Sequence, residues 1–356
     1  MNFHTAEIFP GICRFYRLRM KWYIYILIIV AVWCGLPAAA FSQSGYEAFY
    51  FLRMPSSART NAIGGHTVSL IEQDPALAFH NPSLFGSETD GMISISYLNY
   101  ISDINIGNAI YTKACGERAA WGAGISFIGY GSMLETSADN TVLGEFSAKD
   151  VAIDGFFAYD LSPYWRGGAS LKFLFSSLAE YSSFGIAVDA GISYFNPDNE
   201  FSFGATFKNI GAQIKAYDEE RQKMPWDIQM GFSKRMEHAP FRFSVTAMYL
   251  NRWKFDYIEE TEEDDGTNKY DNFFPTLLKH LVFGIEFIPS DNFWIGAGFN
   301  PKTHYDMKLN GANGFGGFSA GAGVSIKMFD INASIAKYHP SALSFMLGIT
   351  ASLSEF

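Results

Sequence analysis

Over residues 92–356 the chain repeats one pattern about fourteen times: roughly ten residues in which apolar side chains alternate with small or polar ones. Residues 165–175 show it plainly. Trp165, Gly167, Ala169, Leu171, Phe173 and Phe175 fall on one face, and Arg166, Gly168, Ser170 and Lys172 on the other. In residues 184–194 the apolar set is Phe184, Ile186, Val188, Ala190, Ile192 and Tyr194, with Asp189 opposite. Phe201, Phe203, Ala205 and Phe207 oppose Lys208, while Trp226, Ile228, Met230 and Phe232 oppose Asp227 and Gln229. Leu281, Phe283, Ile285 and Phe287 oppose His280 and Glu286. Each stretch predicts a β-strand, and the charges gather on one face of the resulting sheet.

The connections alternate in length as well. Short clusters of turn-forming residues lie at 115–117, 161–163, 196–199, 237–240, 289–291 and 329–330. Longer segments at 130–149, 211–225, 254–279 and 301–314 separate them. Short turns on one rim and long loops on the other predict an all-β fold, a transmembrane antiparallel β-barrel of about 14 strands spanning residues 91–356. A soluble β-sandwich also alternates, but its strands average nearer five or six residues than ten. Trp121, Trp165, Trp226, Trp253 and Trp294 near strand ends suit aromatic girdles at the headgroup level.

Two other regions break the pattern. Residues 22–36 are strongly apolar, preceded by Arg14, Arg17, Arg19 and Lys21 and followed by Pro37-Ala38-Ala39-Ala40. This is the layout of a secretory signal peptide over residues 1–42, with Met20 a natural alternative start; a retained anchor is disfavoured by the shortness of the run. Residues 43–90 have no sustained period of two, and carry Arg59, Gly64, Gly65, Asp74, Asn81 and Pro82. They are expected to form a plug inside the barrel, entering from the short-turn side. Arg59 is a candidate to pair with a lumen carboxylate such as Asp189, a solvated arginine being the alternative; Gly64-Gly65 are expected to allow close backbone approach, and Asn81-Pro82 to make a turn.

Composition agrees with a wall facing lipid. Charged residues are 17% and aromatics 17%, and 33 residues are glycine. The formal charge is −10, and removing residues 1–42, with four basic side chains and one acidic, makes it −13. An acidic chain argues against nucleic acid.

No catalytic or cofactor motif survives inspection. Gly317-Phe318-Ser319-Ala320-Gly321 matches G-x-S-x-G, but it lies inside a strand pattern rather than at a strand-to-helix elbow. Its glycines read as small inward residues facing the plug. The seven histidines show no metal-ligand pairing, the G-x-G triplets open no helix, and no nucleophile stands beside His280 or His339. We therefore expect no enzyme activity, no cofactor and no metal. The acidic run Glu259, Glu260, Glu262, Glu263, Asp264 and Asp265 reads first as a solvated loop, and otherwise as a partner-docking segment. It lacks the remaining ligands of an EF-hand.

Leu52-Arg53-Met54-Pro55-Ser56-Ser57-Ala58-Arg59-Thr60-Asn61-Ala62-Ile63-Gly64-Gly65, followed by Asp74 and Asn81-Pro82-Ser83-Leu84, resembles the opening of the PorV/PorQ family. Phe146-Ser147-Ala148-Lys149-Asp150, Lys208-Asn209-Ile210-Gly211, His238-Ala239-Pro240-Phe241-Arg242, His280-Leu281-Val282-Phe283-Gly284 and Gly316-Gly317-Phe318-Ser319 follow in the family's order. Members are barrel components of the type IX secretion system, related in architecture to FadL-like transporters. Ser83 departs from the Asn-Pro-Ala that FadL-like proteins favour. The resemblance implies an outer-membrane location in a Gram-negative bacterium and contact with outer-membrane lipid. It also implies a role in attaching or handing over secreted cargo, with a PorZ-like surface partner, a sortase complex and lipopolysaccharide as partners. The alternative is a FadL-like channel for hydrophobic solutes, against which the charged inward faces count somewhat.

Overall fold

A computed structural model of the chain describes residues 47–137, 139, 141–218, 221–253, 255, 273–307, 315–339 and 342–353. The signal-peptide region and the acidic run Glu259–Asp265 lie outside them. Fourteen antiparallel strands close into a barrel, each paired with its sequence neighbour and β1 with β14. The strands are β1 (Met92–Ile101), β2 (Ile104–Ala114), β3 (Ala119–Thr136), β4 (Val142–Asp160), β5 (Trp165–Leu178), β6 (Tyr181–Asn196) and β7 (Phe201–Lys215). Then come β8 (Asp227–Arg235), β9 (Phe241–Ala247), β10 (Leu281–Ser290), β11 (Phe293–Phe299), β12 (Phe318–Ile326), β13 (Phe329–His339) and β14 (Ala342–Ser352). No helix among the described residues is long and apolar enough to cross a membrane.

The alternation sets the two faces. Leu171, Phe173 and Phe175 are exposed on the outer wall, while Ser170, Lys172 and Leu174, alternating with them, are buried inside. Trp121 and Trp165 stand exposed near the short-turn rim, and Trp226 and Trp253 near the other. Trp294 does not belong with them. It points inward, its Nε1 donating to Asn332 Oδ1 at 3.1 Å.

Several connections differ from expectation. Residues 130–149 are mostly strand. Beyond Gly129 β3 leaves β2, and above Ser147, whose carbonyl accepts from the Ala179 amide, β4 leaves β5, so 132–136 and 142–146 project as a two-stranded ribbon. This ribbon overhangs the rim by roughly 15–20 Å at the usual rise per residue. Both its faces meet water, so it carries no strict alternation and reads as a loop. The last short turn is Lys327-Met328, with Lys327 at φ 52°, and Phe329-Asp330 already belong to β13. On the long-loop rim, residues 102–103 and 179–180 make tight hairpins, leaving 216–226, 248–280 and 300–317 as the long connections.

Residues 47–90 fill the lumen with a helix, α1 (Ala58–Ala62), three short 3-10 turns and connecting loops. The segment begins beside Lys223 at the long-loop rim, where Glu47 makes a β-bridge. It ends at the short-turn rim, where Asp90 accepts a hydrogen bond from the Ala114 amide. Its first described residue thus lies at the opposite rim from the expected entry. Two further short helices, α2 (Phe273–Lys279) and α3 (Pro301–Asp306), pack together in the long connections.

Candidate functional site

The lumen and its plug gather most of the buried polar groups. Local capping shapes the plug. Ser57 Oγ accepts from the Arg59 amide at the start of α1 and donates to Asp74 Oδ2 at 2.6 Å. Asp74 Oδ1 accepts from the Ala76 amide at 3.0 Å, capping the turn Pro75–Phe79, so the two caps lock each other. Gly64 and Gly65 end the helix at φ +104° and +87°, a region costly for other residues. Asn81 Oδ1 accepts from the Ser83 amide and Nδ2 donates to the Val68 carbonyl at 2.9 Å, forming the turn around Pro82.

The wall is shaped to receive this backbone. A Cβ on Gly204 would lie 1.8 Å from the Val68 oxygen, and one on Gly298 2.0 Å from the Gly64 nitrogen. Ser319, the serine of the G-x-S-x-G match, accepts from the Gly64 amide and donates to the Ala62 carbonyl, both at 2.9 Å. Its hydroxyl is a plug contact.

Four charges close a ring between plug and wall. Arg59 Nε donates to Glu286 Oε1 at 2.8 Å and its NH1 lies 3.1 Å from Glu72 Oε2. Arg242 Nε donates to Glu286 Oε2 at 2.7 Å and its NH1 to Glu72 Oε1 at 2.5 Å. The Arg59 guanidinium also sits 4.9 Å over the Trp294 ring. Burial alone would raise the Glu72 carboxyl, but Arg59 and Arg242 hold it below its ordinary value. Arg59 therefore pairs with Glu286 and Glu72 and not with Asp189. Asp189 is taken by Lys172 at 2.8 Å and by the Asn209 amide at 2.7 Å. That amide is in reach because β7 bulges at Lys208-Asn209, turning two successive side chains inward. Sequence reasoning missed Glu72 and Arg242; Arg242 sits on the inward face of β9, which period two marks as lumen.

Nearer the long-loop rim the lumen turns apolar. Met346, Leu98, Ile106 and Ile128 are inward residues in successive register, Met346 opposite Leu98, Leu98 opposite Ile106, and Ile106 opposite Ile128. This belt packs with Leu174 of β5 around Phe49 and Phe51 of the plug. A void of about 30 Å³ beside Phe51, Met54 and Ile106 remains. The charged inward faces are thus joined by an apolar belt on β14, β1, β2 and β3, and Asp154 and Lys172 border the void at its edge. No cluster of metal-ligating side chains occurs among the described residues.

No protein-family model matches the chain, and no curated protein matches it. Among solved structures the chain is similar to the Pseudomonas putida toluene transporter TodX, with 11% identity, a TM-score of 0.55 and coverage of 85% of this chain and 99% of that one. The CymD monoaromatic hydrocarbon channel gives 11%, 0.53, 84% and 98% in the same order, and a Pseudomonas aeruginosa FadL homologue 10%, 0.49, 84% and 98%. At such identities the first two show a shared barrel architecture. The comparisons lend the resemblance to the PorV/PorQ family no sequence support.

Proposed function

We propose that this chain is an outer-membrane barrel that admits hydrophobic solutes, its plug gating an apolar compartment beneath the long-loop rim. The observation that carries this reading is the belt of Met346, Leu98, Ile106 and Ile128 closing on Phe49 and Phe51. Lumen residues of membrane barrels are ordinarily polar. An inward apolar belt needs an apolar occupant, and here the plug's two phenyl rings supply it. Withdrawn, they would leave a pocket with apolar walls and a few polar groups, among them Asn108 and Asp154. Ion pairs and hydrogen bonds that water can replace hold part of the plug to the wall, beside the apolar contacts of Phe49 and Phe51. The exposed apolar wall and the basic-then-apolar N-terminus support export to the outer membrane. The architecture shared with TodX and CymD supports the solute reading.

The test is uptake. A strain lacking the gene should take up toluene or a long-chain fatty acid more slowly, and wild-type protein should restore the rate while Leu98→Asn/Ile106→Asn should not. Unchanged uptake on deletion would overturn the reading.

A second reading, docking of type IX secretion partners at the long-loop rim, is favoured by the overhanging ribbon of β3 and β4. Its edges are unpaired and Leu134, Val142 and Leu143 are exposed, a surface suited to strand addition or apolar contact. On that reading deletion of the gene leaves cargo proteins released rather than surface-attached. Trimming 133–146, or the acidic segment 261–268, then abolishes co-purification of a PorZ-like or sortase-complex partner. Normal cargo attachment would sink it.

A further inference from the structure

Outside the lumen, the outer wall of β4 to β7 carries a cleft of about 290 Å³. Its composition is layered. One register row runs Val151, Phe175, Phe184 and Lys215, each the pairing partner of the next. The Phe175 and Phe184 rings lie 5.1 Å apart and form the apolar floor. The adjoining row toward the long-loop rim runs Lys149, Ser177 and Ser182. Lys215 Nζ donates to Ser182 Oγ at 2.6 Å, which brings the second ammonium up to the polar row.

Two cations therefore flank one apolar cleft at the upper edge of the wall's greasy band. The chain as a whole has net charge −10, yet no acidic residue lines this cleft. Among the described residues neither lysine has a carboxylate partner. A ligand that fits has acyl chains to lie on Val151, Phe175 and Phe184, and phosphate to bridge the lysines. A free phosphate would leave the floor uncovered, and a neutral lipid would leave the lysines unmatched.

We propose that this cleft binds a phosphorylated, multiply acylated glycolipid of the lipid A type from the outer leaflet. The proposal rests on the outer-membrane reading above, because it is that orientation which puts the long-loop rim, and hence this cleft, on the outer leaflet. Lys149 and Lys215 take the phosphates, Ser177 and Ser182 face sugar or phosphate oxygens, and the phenyl rings take the acyl chains.

The experiment is native mass spectrometry of the full barrel in mild detergent, titrated with diphosphoryl lipid A, with the same lipid dephosphorylated, and with phosphatidylglycerol. Wild-type protein should prefer diphosphoryl lipid A at least about tenfold over the dephosphorylated form. Lys149→Gln/Lys215→Gln should lower that affinity on the order of twentyfold, about fivefold per lysine, with heat-modifiable gel migration unchanged. Equal binding of the dephosphorylated lipid, or undiminished binding by a folded double variant, would overturn the proposal. Tighter binding of phosphatidylglycerol would overturn the glycolipid assignment. Should the double variant fail to fold, the dephosphorylated arm on wild-type protein still decides. Loss of the membrane reading looks different: wild-type protein would then fractionate away from membranes and show no heat-modifiable migration, and the lipid site would fall with it.

Discussion

Glu286 on the wall holds Arg59 of the plug at 2.8 Å across 227 positions of sequence. Its second oxygen holds Arg242 at 2.7 Å, so one carboxylate serves both guanidinium groups. Replacing Glu286 by Gln leaves the two arginines buried with Glu72 as their remaining shared anion. We expect the plug's attachment to weaken by about 3–5 kcal/mol, the usual cost of stranding a buried charge. Limited proteolysis within residues 47–90 should accelerate while the barrel keeps its heat-modifiable migration. Unaltered proteolysis would show that the ring contributes nothing to holding the plug.

Acid should act on the same ring. Glu72 has its carboxyl held below the ordinary value by Arg59 and Arg242, against the opposing effect of burial. A depressed carboxylate stabilises the folded form above its ordinary pKa and loses that contribution as pH falls through the lowered one. Plug protection against hydrogen exchange should be level from neutral pH down to the ordinary carboxylate range and decline below it. In Glu72→Gln the decline should be smaller.

Gly204→Ala is expected to displace the plug without opening the wall. The new methyl would sit 1.8 Å from the Val68 oxygen, and backbone rather than a flexible side chain must give way. A cost of about 1–3 kcal/mol is typical of such overpacking. The variant should assemble as a barrel, with its thermal transition lowered and its plug cleaved faster.

Phe51→Ala tests the apolar compartment. Truncation of a buried phenyl usually costs about 3–5 kcal/mol, and the void beside Ile106 and Met54 would grow. An apolar fluorescent probe such as N-phenylnaphthylamine should bind the variant more tightly than wild type. Equal binding would mean that the belt collapses instead of receiving a solute.

How much of this was legible in the chain varies with the physics involved. The faces of β5, β6 and β7 could be read directly, because a wall between lipid and lumen enforces a period of two at every residue pair. The inward direction of Glu286 and Asp189 followed from the same rule. Which of them meets Arg59 did not, since period two gives the side of the wall but not the position around it or the depth reached by the plug. The ribbon of 132–136 and 142–146 escaped for the opposite reason: beyond the wall nothing enforces alternation, and residues such as Gly131, Ser132 and Ser137 look like loop. Trp294 passed for a girdle residue although its register on β11 faces the lumen, where it lies beneath Arg59.

The placement of α1 also fixes a chronology. Asn61 donates to Ser334 on β13 and accepts from Tyr338 on the same strand, partners 273 and 277 residues later in the chain. Neither of these two bonds can form until the last hairpin exists, and closing so long a loop is slow. The final seating of α1 and the zipping of β1 to β14 thus draw on the same last strands, and both wait for them.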